Sequence, residues 1–462
     1  VRRGAVKERL DVNYWLGSAL YKKYYSQPKF PLTPLRQLVT VVQYGISERA
    51  TSEPIGTPIL RMNNLQESGW DLTDLKYVQL SPETKEQFLV KPCDILFNRT
   101  NSKELVGKCD VFREQGDWVF ASYLIRVRLD ESKALPIFVS DFLNTDAGRI
   151  QIDRVSRQII GMSNVNAEEL QDLLIPLPPL DIQHALVAEM ETARLSRKRK
   201  LLEADTFLDS LNVWLLEQLG IVVPPKSEQK VFAARSGDAQ RRFDAAFHSP
   251  RFRAIRASLE HGKYDARSVG SFSPSIRSGF AAGKQDQAEN EIDGVPHLRP
   301  LNLSIYGDIK LQGTKYVPRT SVGETDYCQR GEVLFNNTNS EELVGKSAVF
   351  DLEIACACSN HMTRIEVTED ASPYFVATLF NALRSIGYLG LLATNFNNQA
   401  GINSATLASL RIPLPEIDIQ QQLVGESQRR REEARRLRAN AEREWKVAKH
   451  RFESLLLTGG TA

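Results

Sequence analysis

The chain contains itself twice. Phe97-Asn-Arg-Thr-Asn-Ser-Lys-Glu-Leu-Val-Gly-Lys-Cys-Asp-Val-Phe112 and Phe335-Asn-Asn-Thr-Asn-Ser-Glu-Glu-Leu-Val-Gly-Lys-Ser-Ala-Val-Phe350 share 12 of 16 residues, 238 positions apart. Ile175-Pro-Leu-Pro-Pro-Leu-Asp-Ile-Gln183 and Ile412-Pro-Leu-Pro-Glu-Ile-Asp-Ile-Gln420 share 7 of 9, 237 apart. Weaker echoes keep the same order. Pro58-Ile-Leu-Arg61 answers Pro296-His-Leu-Arg299, and Arg126 answers Arg364. A search for repeats comes first because a missed repeat mis-assigns the whole fold. Collinear matches at a near-constant offset mean a tandem duplication of a unit of roughly 235 residues.

Each repeat divides again. Its first part is rich in short β-prone runs punctuated by Gly, Pro and Asn, such as Asp94-Ile-Leu-Phe97 and Leu124-Ile-Arg-Val-Arg-Leu129. That pattern predicts a mixed, strand-rich globular domain. A helix is expected near residues 136–144, with a counterpart near 373–384. The Ile-Pro-Leu-Pro tetrad predicts an extended exit, since Pro lacks an N–H and fixes φ. Asp181 and Asp418 then stand at N-cap positions before long stretches free of Pro, with Gly425 the one internal weak point. Helices of about 58 and 60 Å are possible there at 1.5 Å per residue. Leu201, Ala204, Leu208, Leu211 and Leu215 step by three and four, and the stripe persists at Ala441, Trp445, Ala448 and Phe452. Such a stripe favours helix–helix packing.

The expected class is therefore α+β: two tandem mixed α/β domains, each followed by a long helix, the two helices pairing as an antiparallel coiled coil. The boundaries read as domain 1 at 1–175, helix 1 at 176–220, a linker at 221–238, domain 2 at 239–412 and helix 2 at 413–462. Leu201, Leu208, Leu211, Leu215, Leu437, Trp445, Phe452 and Leu455 are the candidate coiled-coil or partner-subunit residues.

This architecture resembles the specificity subunits of Type I restriction–modification systems, over essentially the whole chain. The Thr-Asn-Ser…Gly-Lys block is similar to a segment of the family's target recognition domains. The Leu-Pro-Pro-Leu-x-x-Gln segment is similar to the start of its paired helices. The departure is Ile182-Gln183 and Ile419-Gln420, where the family usually has Glu-Gln. The resemblance implies a non-catalytic subunit that reads a bipartite DNA target, one half per recognition domain. It implies two partner adenine methyltransferase (modification) subunits and, for restriction, motor–nuclease subunits. S-adenosylmethionine and ATP are then expected in those partners, and no cofactor in this chain. Modules of Type IIB, Type IIG or other phage-defence methylation systems remain an alternative, as does a helical scaffold that binds only protein.

Charge is silent on this point. Lys+Arg is 59 and Asp+Glu is 57, a net of +2, so any case for double-stranded DNA must be local. Asn and Gln suit adenine, Arg suits guanine, and Lys and Thr suit phosphate. Three candidate sets arise. The first is Asn98, Arg99, Asn101 and Lys108, with Asn336, Asn337, Asn339 and Lys346. Because most of this set is shared between repeats, it should hold backbone or shape the loop; only Arg99 against Asn337 differs as a base reader should. The second is Arg61, Asn63 and Asn64, with Arg299 and Asn302. The third is Arg157 and Gln158, with Asn397, Asn398 and Gln399. For every Asn the competing reading is an ordinary turn hydrogen bond.

Basic runs on the helices, such as residues 194–200 and 429–438, are interleaved with Glu in the second case and read as solvated or partner-facing surface. Catalytic readings fail. Gly345-Lys-Ser347 lacks the leading glycine of a P-loop, and Gly279-Phe-Ala-Ala-Gly-Lys284 is one residue short. Cys356-x-Cys358 lacks a second ligand pair for zinc. His361 aligns with Tyr123, which suggests a packing position. No catalytic or metal residue is assigned. Five scattered Cys fit a reducing cytoplasm, no apolar run approaches a membrane span, and residues 1–10 have no apolar stretch behind them as a signal peptide would.

Overall fold

The computed structural model describes residues 20–22, 24–66, 69–159, 162–225, 231–233, 245–283, 286–288, 292, 294–396 and 399–457. Much of the expected linker and the extreme N-terminal residues lie outside that set. The chain forms two compact units. Unit 1 is residues 1–201 with 438–462, and unit 2 is residues 202–437. The division falls inside both long helices, so neither unit is one sequence repeat.

In unit 1 an antiparallel four-stranded sheet runs Val39–Tyr44, Leu124–Leu129, Ile95–Asn98, Cys109–Val111. Ile95–Asn98 is central and buried on both faces. Successive side chains of a strand point to opposite faces. Ile95 and Phe97 accordingly enter the core built on Phe138, Val139 and Phe142 of the helix Pro136–Leu143, whereas Leu96 enters a second core with Phe112 and Phe120. A three-stranded sheet covers the second face. In it Val119–Phe120 runs parallel to Thr57–Leu60, which pairs with Lys76–Val78. Unit 2 repeats these orders. Its larger sheet is Ser275–Ser278, Met362–Glu366, Val333–Asn336, Ser347–Val349, and its smaller one is Lys315–Pro318, Gly294–Leu298, Ala357–Cys358. The expected helices appear as Pro136–Leu143 and Pro373–Ser385.

Arg126 and Arg364 explain one weak sequence echo. Each is buried in its larger sheet and donates to carbonyls of the loop beneath: Arg126 to Leu89 O at 2.6 Å and Gln87 O at 3.1 Å, Arg364 to Thr325 O at 2.6 Å and to Tyr327 O. Each also has an acid within 3.8 Å, Asp94 or Glu332. A buried guanidinium needs such partners, because desolvation otherwise costs more than the charge returns.

The Ile-Pro-Leu-Pro exits are more structured than an extended tail. Leu174–Pro176 pairs with Leu32–Pro34, and Arg411–Pro413 with Ala266–Ser268. The long helices follow as Leu180–Gln218, 39 residues, and Ile417–Leu456, 40 residues. Asp181 and Asp418 therefore sit in the first helical turn rather than at the N-cap, still well placed against the helix dipole. Gly425 does not interrupt its helix.

The repeated Gln of this segment is a clamp. Gln183 is fully buried; its Nε2 donates to Pro178 O at 2.9 Å and Lys133 O at 3.1 Å, and its Oε1 accepts from Leu135 N at 2.9 Å. Gln420 does the same with Pro415 O at 2.7 Å, Asp370 O at 2.9 Å and Ser372 N at 2.8 Å. Leu135 and Ser372 are the N-cap residues of the two core helices. One side chain thus joins the start of each long helix to the start of its domain's core helix.

The heptad stripe is buried, but less of it forms a coiled coil than its spacing suggests. Within unit 2, Ala204 and Leu208 pack on Ala434, with Leu437 partly buried beside them. Leu215 and Leu216, however, join the domain core with Phe252, Phe375 and Phe380. In unit 1, Leu186 and Met190 share a core with Trp445, Phe452 and Leu456. Leu211 is buried and Leu201 is half-buried. Leu455 is a correction: it is exposed at 41%, and Leu456 takes the inward position. The segments run antiparallel within unit 1, as the pairs Arg451–Glu189 at 2.8 Å and Arg197–Glu442 at 2.7 Å require. Most of the basic helical residues are similarly engaged, among them Arg429 and Arg430 with Glu426 at 2.8 and 2.7 Å. Among the described residues no helix is long and apolar enough to cross a membrane.

Gln420→Ala leaves two carbonyls and one N–H without partners in a dry site. A loss of about 2–3 kcal/mol is expected. Thermal unfolding should then shift down by roughly 5–10 °C; an unchanged melt would remove the clamp from the account.

Candidate nucleic-acid interface

The Gly-Lys block is a loop closed by its own first Asn. Asn98 N donates to Lys108 O at 2.8 Å, Gly107 N donates to Asn98 O at 2.7 Å, and Asn98 Nδ2 donates to Leu105 O at 3.3 Å. Asn336 repeats the set with Lys346 O, Gly345 N and Leu343 O, the last at 3.0 Å. Gly107 and Gly345 have φ of 83° and 91°. A Cβ there would lie 2.5 Å from Ile152 Cγ2 or 2.2 Å from Leu389 Cδ1. Glycine is therefore required both for conformation and for space. Asn101 and Asn339 accept from the next backbone N–H, at 2.8 and 2.9 Å.

Several candidate contacts are consequently internal. Asn98 and Asn336 are buried loop braces. Asn64 is buried, accepting from Arg61 N and donating to Asp71 O and Asp74 O, and Asn302 repeats this with Arg299 N, Lys310 O and Thr314 Oγ1. Asn337 is buried too, donating to Asn360 O at 3.1 Å and Thr363 Oγ1 at 2.9 Å. Lys346 is the largest departure. It is buried and donates to Pro300 O at 2.6 Å and Leu303 O at 2.8 Å, and burial lowers its pKa. It staples one loop to another and offers no charge to a phosphate. Lys108 instead lines a crevice of about 200 Å³ with Glu104, Asp110 and Asp141, a setting shared with carboxylates. Polar groups placed inward in this way are those whose partners lie far along the chain, which the residue pattern alone does not disclose.

Other candidates remain at the surface. Asn63 and Gln399 are exposed. Arg61 pairs with Asp74 at 3.1 Å, and Arg299 donates to Gly313 O at 3.3 Å. Arg157 is exposed and pairs with Glu169 at 2.8 Å. It lies on the strand Arg157–Ile159, which with Met162–Asn164 and Thr100–Asn101 forms a small three-stranded sheet. Unit 2 has the same sheet, built from Thr394–Phe396, Gln399–Gly401 and Thr338–Asn339. The side chain of Gln158 and both Asn397 and Asn398 fall outside the described residues.

Here the frame is shared and the side chains differ. Val165 N donates to Arg99 O and Ile402 N to Asn337 O, both at 2.9 Å. On that frame Arg99 stacks 4.7 Å over the Tyr44 ring and reaches Asn164 Oδ1 at 3.4 Å. The corresponding positions of unit 2 are Ser278, Asn337 and Gly401. Tyr44 and Asn164 were not visible as candidates, because they are remote in sequence and only the sheet register assembles them. The arrangement in unit 1 is a held guanidinium next to two polar side chains and the exposed Tyr123, a set able to hydrogen-bond a base edge.

No family model matches the chain. It is 26% identical over 151 residues to a Methanocaldococcus jannaschii protein described as a type I restriction enzyme MjaX specificity subunit, covering 32% of this chain and 36% of that one. It is 24% identical over 157 residues to the type I restriction enzyme EcoKI specificity subunit of Escherichia coli K12, covering 33% and 34%. The matches thus span about a third of the length of these relatives. A solved chain from work on complex assembly and conformational transition of the type I restriction–modification system superposes with a TM-score of 0.51 at 13% identity, covering 93% of this chain and 97% of that one. That likeness concerns the fold.

The two loop lysines should behave differently. Lys346→Met leaves two buried carbonyls unpaired and should cost on the order of 3 kcal/mol. Lys108→Met breaks no side-chain hydrogen bond among the described residues and should cost under about 1 kcal/mol. Parallel thermal melts of the two variants check this; equal losses would contradict the assignment.

Proposed function

We infer that this chain, which belongs to the specificity-subunit family of Type I restriction–modification systems, reads a split and asymmetric DNA sequence, one half with each unit. The observation that carries the reading is the pairing of a common backbone frame with different side chains, Tyr44, Arg99 and Asn164 in one unit and Ser278, Asn337 and Gly401 in the other. Identical readers would suit a palindrome; a stacked Arg99 in one unit, with the inward-turned Asn337 at that place in the other, suits two unlike half-sites. Base edges specify sequence, whereas phosphate contacts only position the protein.

In this reading the chain is not itself an enzyme. It directs two adenine methyltransferase subunits, which would hold S-adenosylmethionine, and with motor–nuclease subunits, which would hold ATP, the same complex would cut unmodified DNA. The cytoplasm is the proposed location, supported by five Cys that are all free thiols. Arg99 is the proposed guanine reader of the first half-site, because an arginine held by stacking loses less freedom on forming a bidentate pair.

Methylome sequencing of cells with and without the gene tests the function; a split methylation motif should vanish on deletion, and its persistence would sink the reading. Arg99→Ala, assayed the same way, should relax one position of one half-site. It should cost about 1–3 kcal/mol of discrimination there. An unchanged motif would remove Arg99 as a reader.

A further inference from the structure

Unit 2 contains a cavity of about 380 Å³ whose lining includes His297, Arg299, Lys315, Ser359, Asn360 and His361. The backbone around it matches unit 1 bond for bond. Ser359 N donates to Leu298 O and Met362 N to Ser359 O, as Ala121 N does to Leu60 O and Leu124 N to Ala121 O, all at 2.9 Å. His297 pairs with Ala357 and Lys315 in its sheet, as Ile59 pairs with Val119 and Lys76. The chemistry matches only in part: unit 2 keeps Val317 and Ala357, with Phe280 beside them, where unit 1 has Val78, Val119 and Ile46. Unit 1 fills this place with an apolar cluster of Ile46, Ile59, Val78 and Val119, with Ala121 packed against it. In unit 2 Ile59 has become His297, Ala121 has become Ser359, and Tyr123 has become His361.

Replacing apolar core residues by polar ones costs stability unless the polar atoms find partners. Here two do not: His297 Nε2 and Ser359 Oγ are buried without a hydrogen-bond partner, with His297 4% exposed and Ser359 5%. Arg299 Nε is unpartnered too, as is Arg61 Nε at the same place in unit 1. Among the described residues no carboxylate lines the cavity, while Arg299 and Lys315 supply two cations. Lys315 is exposed, as are Asn360 and His361, so the mouth opens to solvent. The expectation that His361 is a packing residue is thereby corrected. Burial lowers the pKa of His297, and hydrogen bonds to the backbone of Phe280 and Cys358 act against it; an anion in the cavity favours the protonated ring, which has a second N–H to donate from Nε2.

We propose that this cavity is an anion site of unit 2 that takes a phosphate of the DNA backbone, with Lys315 and Arg299 supplying charge and Ser359 and His297 supplying hydrogen bonds. The proposal rests on the DNA-reading function above and adds hydrogen-bonding groups that only unit 2 possesses, since Arg61 and Lys76 hold the places of Arg299 and Lys315 in unit 1. Phosphate oxygens accept several hydrogen bonds at once, which answers a cluster of unsatisfied donors. Such a contact fixes register on the duplex without reading sequence.

The test uses the full chain assembled with its modification subunits, and duplexes carrying the target found by methylome sequencing. Lys315→Gln should weaken binding about 5–30-fold at 150 mM salt. It should reduce the slope of log K against log salt by about one. The double variant His297→Ile, Ser359→Ala, which installs the residues of unit 1, should weaken binding with little change in slope. In both, the methylation motif should be unaltered. Wild-type affinity and slope in both variants would overturn the proposal. So would a motif relaxed at one position with the slope intact, which would mark a base contact instead. Retention of the second half of the motif, which unit 2 reads, shows that each variant is folded. Absence of any split motif in the wild type would instead overturn the function itself.

Discussion

The core of each unit is closed by side chains from both long helices, and the rest of the structure depends on that. In unit 1, Leu186 and Met190 of the first helix meet Trp445, Phe452 and Leu456 of the second around Phe138. In unit 2, Leu423 of the second helix meets Leu215, Leu216 and Leu219 of the first around Phe252 and Phe375. A helix buried at both ends in large apolar cores has little freedom to slide or fray. Fully burying a Leu or Phe contributes about 1.5–3 kcal/mol, so these ends outweigh the exposed ion pairs along the middle, which are worth at most about 1 kcal/mol each. Glu453 adds a directional element, because its buried Oε2 accepts from Ala147 N at 2.7 Å at the start of the helix Asp146–Val155. The Gln183 and Gln420 clamps then tie each helix start to its domain.

This organisation separates two demands that the proposed reading function makes. The frame is built from residues that the repeats share: the loop-closing Asn98 and Asn336, the crowded Gly107 and Gly345, the buried Arg126 and Arg364, and the two Gln clamps. The variation sits on that frame, at Arg99 against the buried Asn337, and at Ile59 against His297, both buried. A reader can change its chemistry at such positions without disturbing the backbone that presents them.

The duplication, the strand-rich domains and the long helices were legible in the sequence because they depend on periodicity and Pro–Gly punctuation, which are local. The fate of individual polar residues was not. Asn64, Asn302, Asn337 and Lys346 carry groups suited to DNA, yet each turns inward to carbonyls or hydroxyls supplied by the fold. The surviving signal was the sharing itself: Asn98 and Asn336 are the same in both repeats because both close the same loop. Tyr44, Asn164 and His297 escaped because their neighbours come from other strands through register, and no spacing rule reaches that far. The heptad stripe showed which face is buried but not that its outer turns enter domain cores.

In the proposed function each unit, including the helix end it borrows from the other repeat, reads one half of the target independently. A chimaera tests this most directly. Residues 1–201 and 438–462 would be replaced together by the corresponding segments of another reader, so that the unit 1 core stays matched, and the methylation motif of cells carrying it would be sequenced. The account predicts a motif in which one half is new and the other is unchanged. Alteration of both halves in a stably folded chimaera would contradict it.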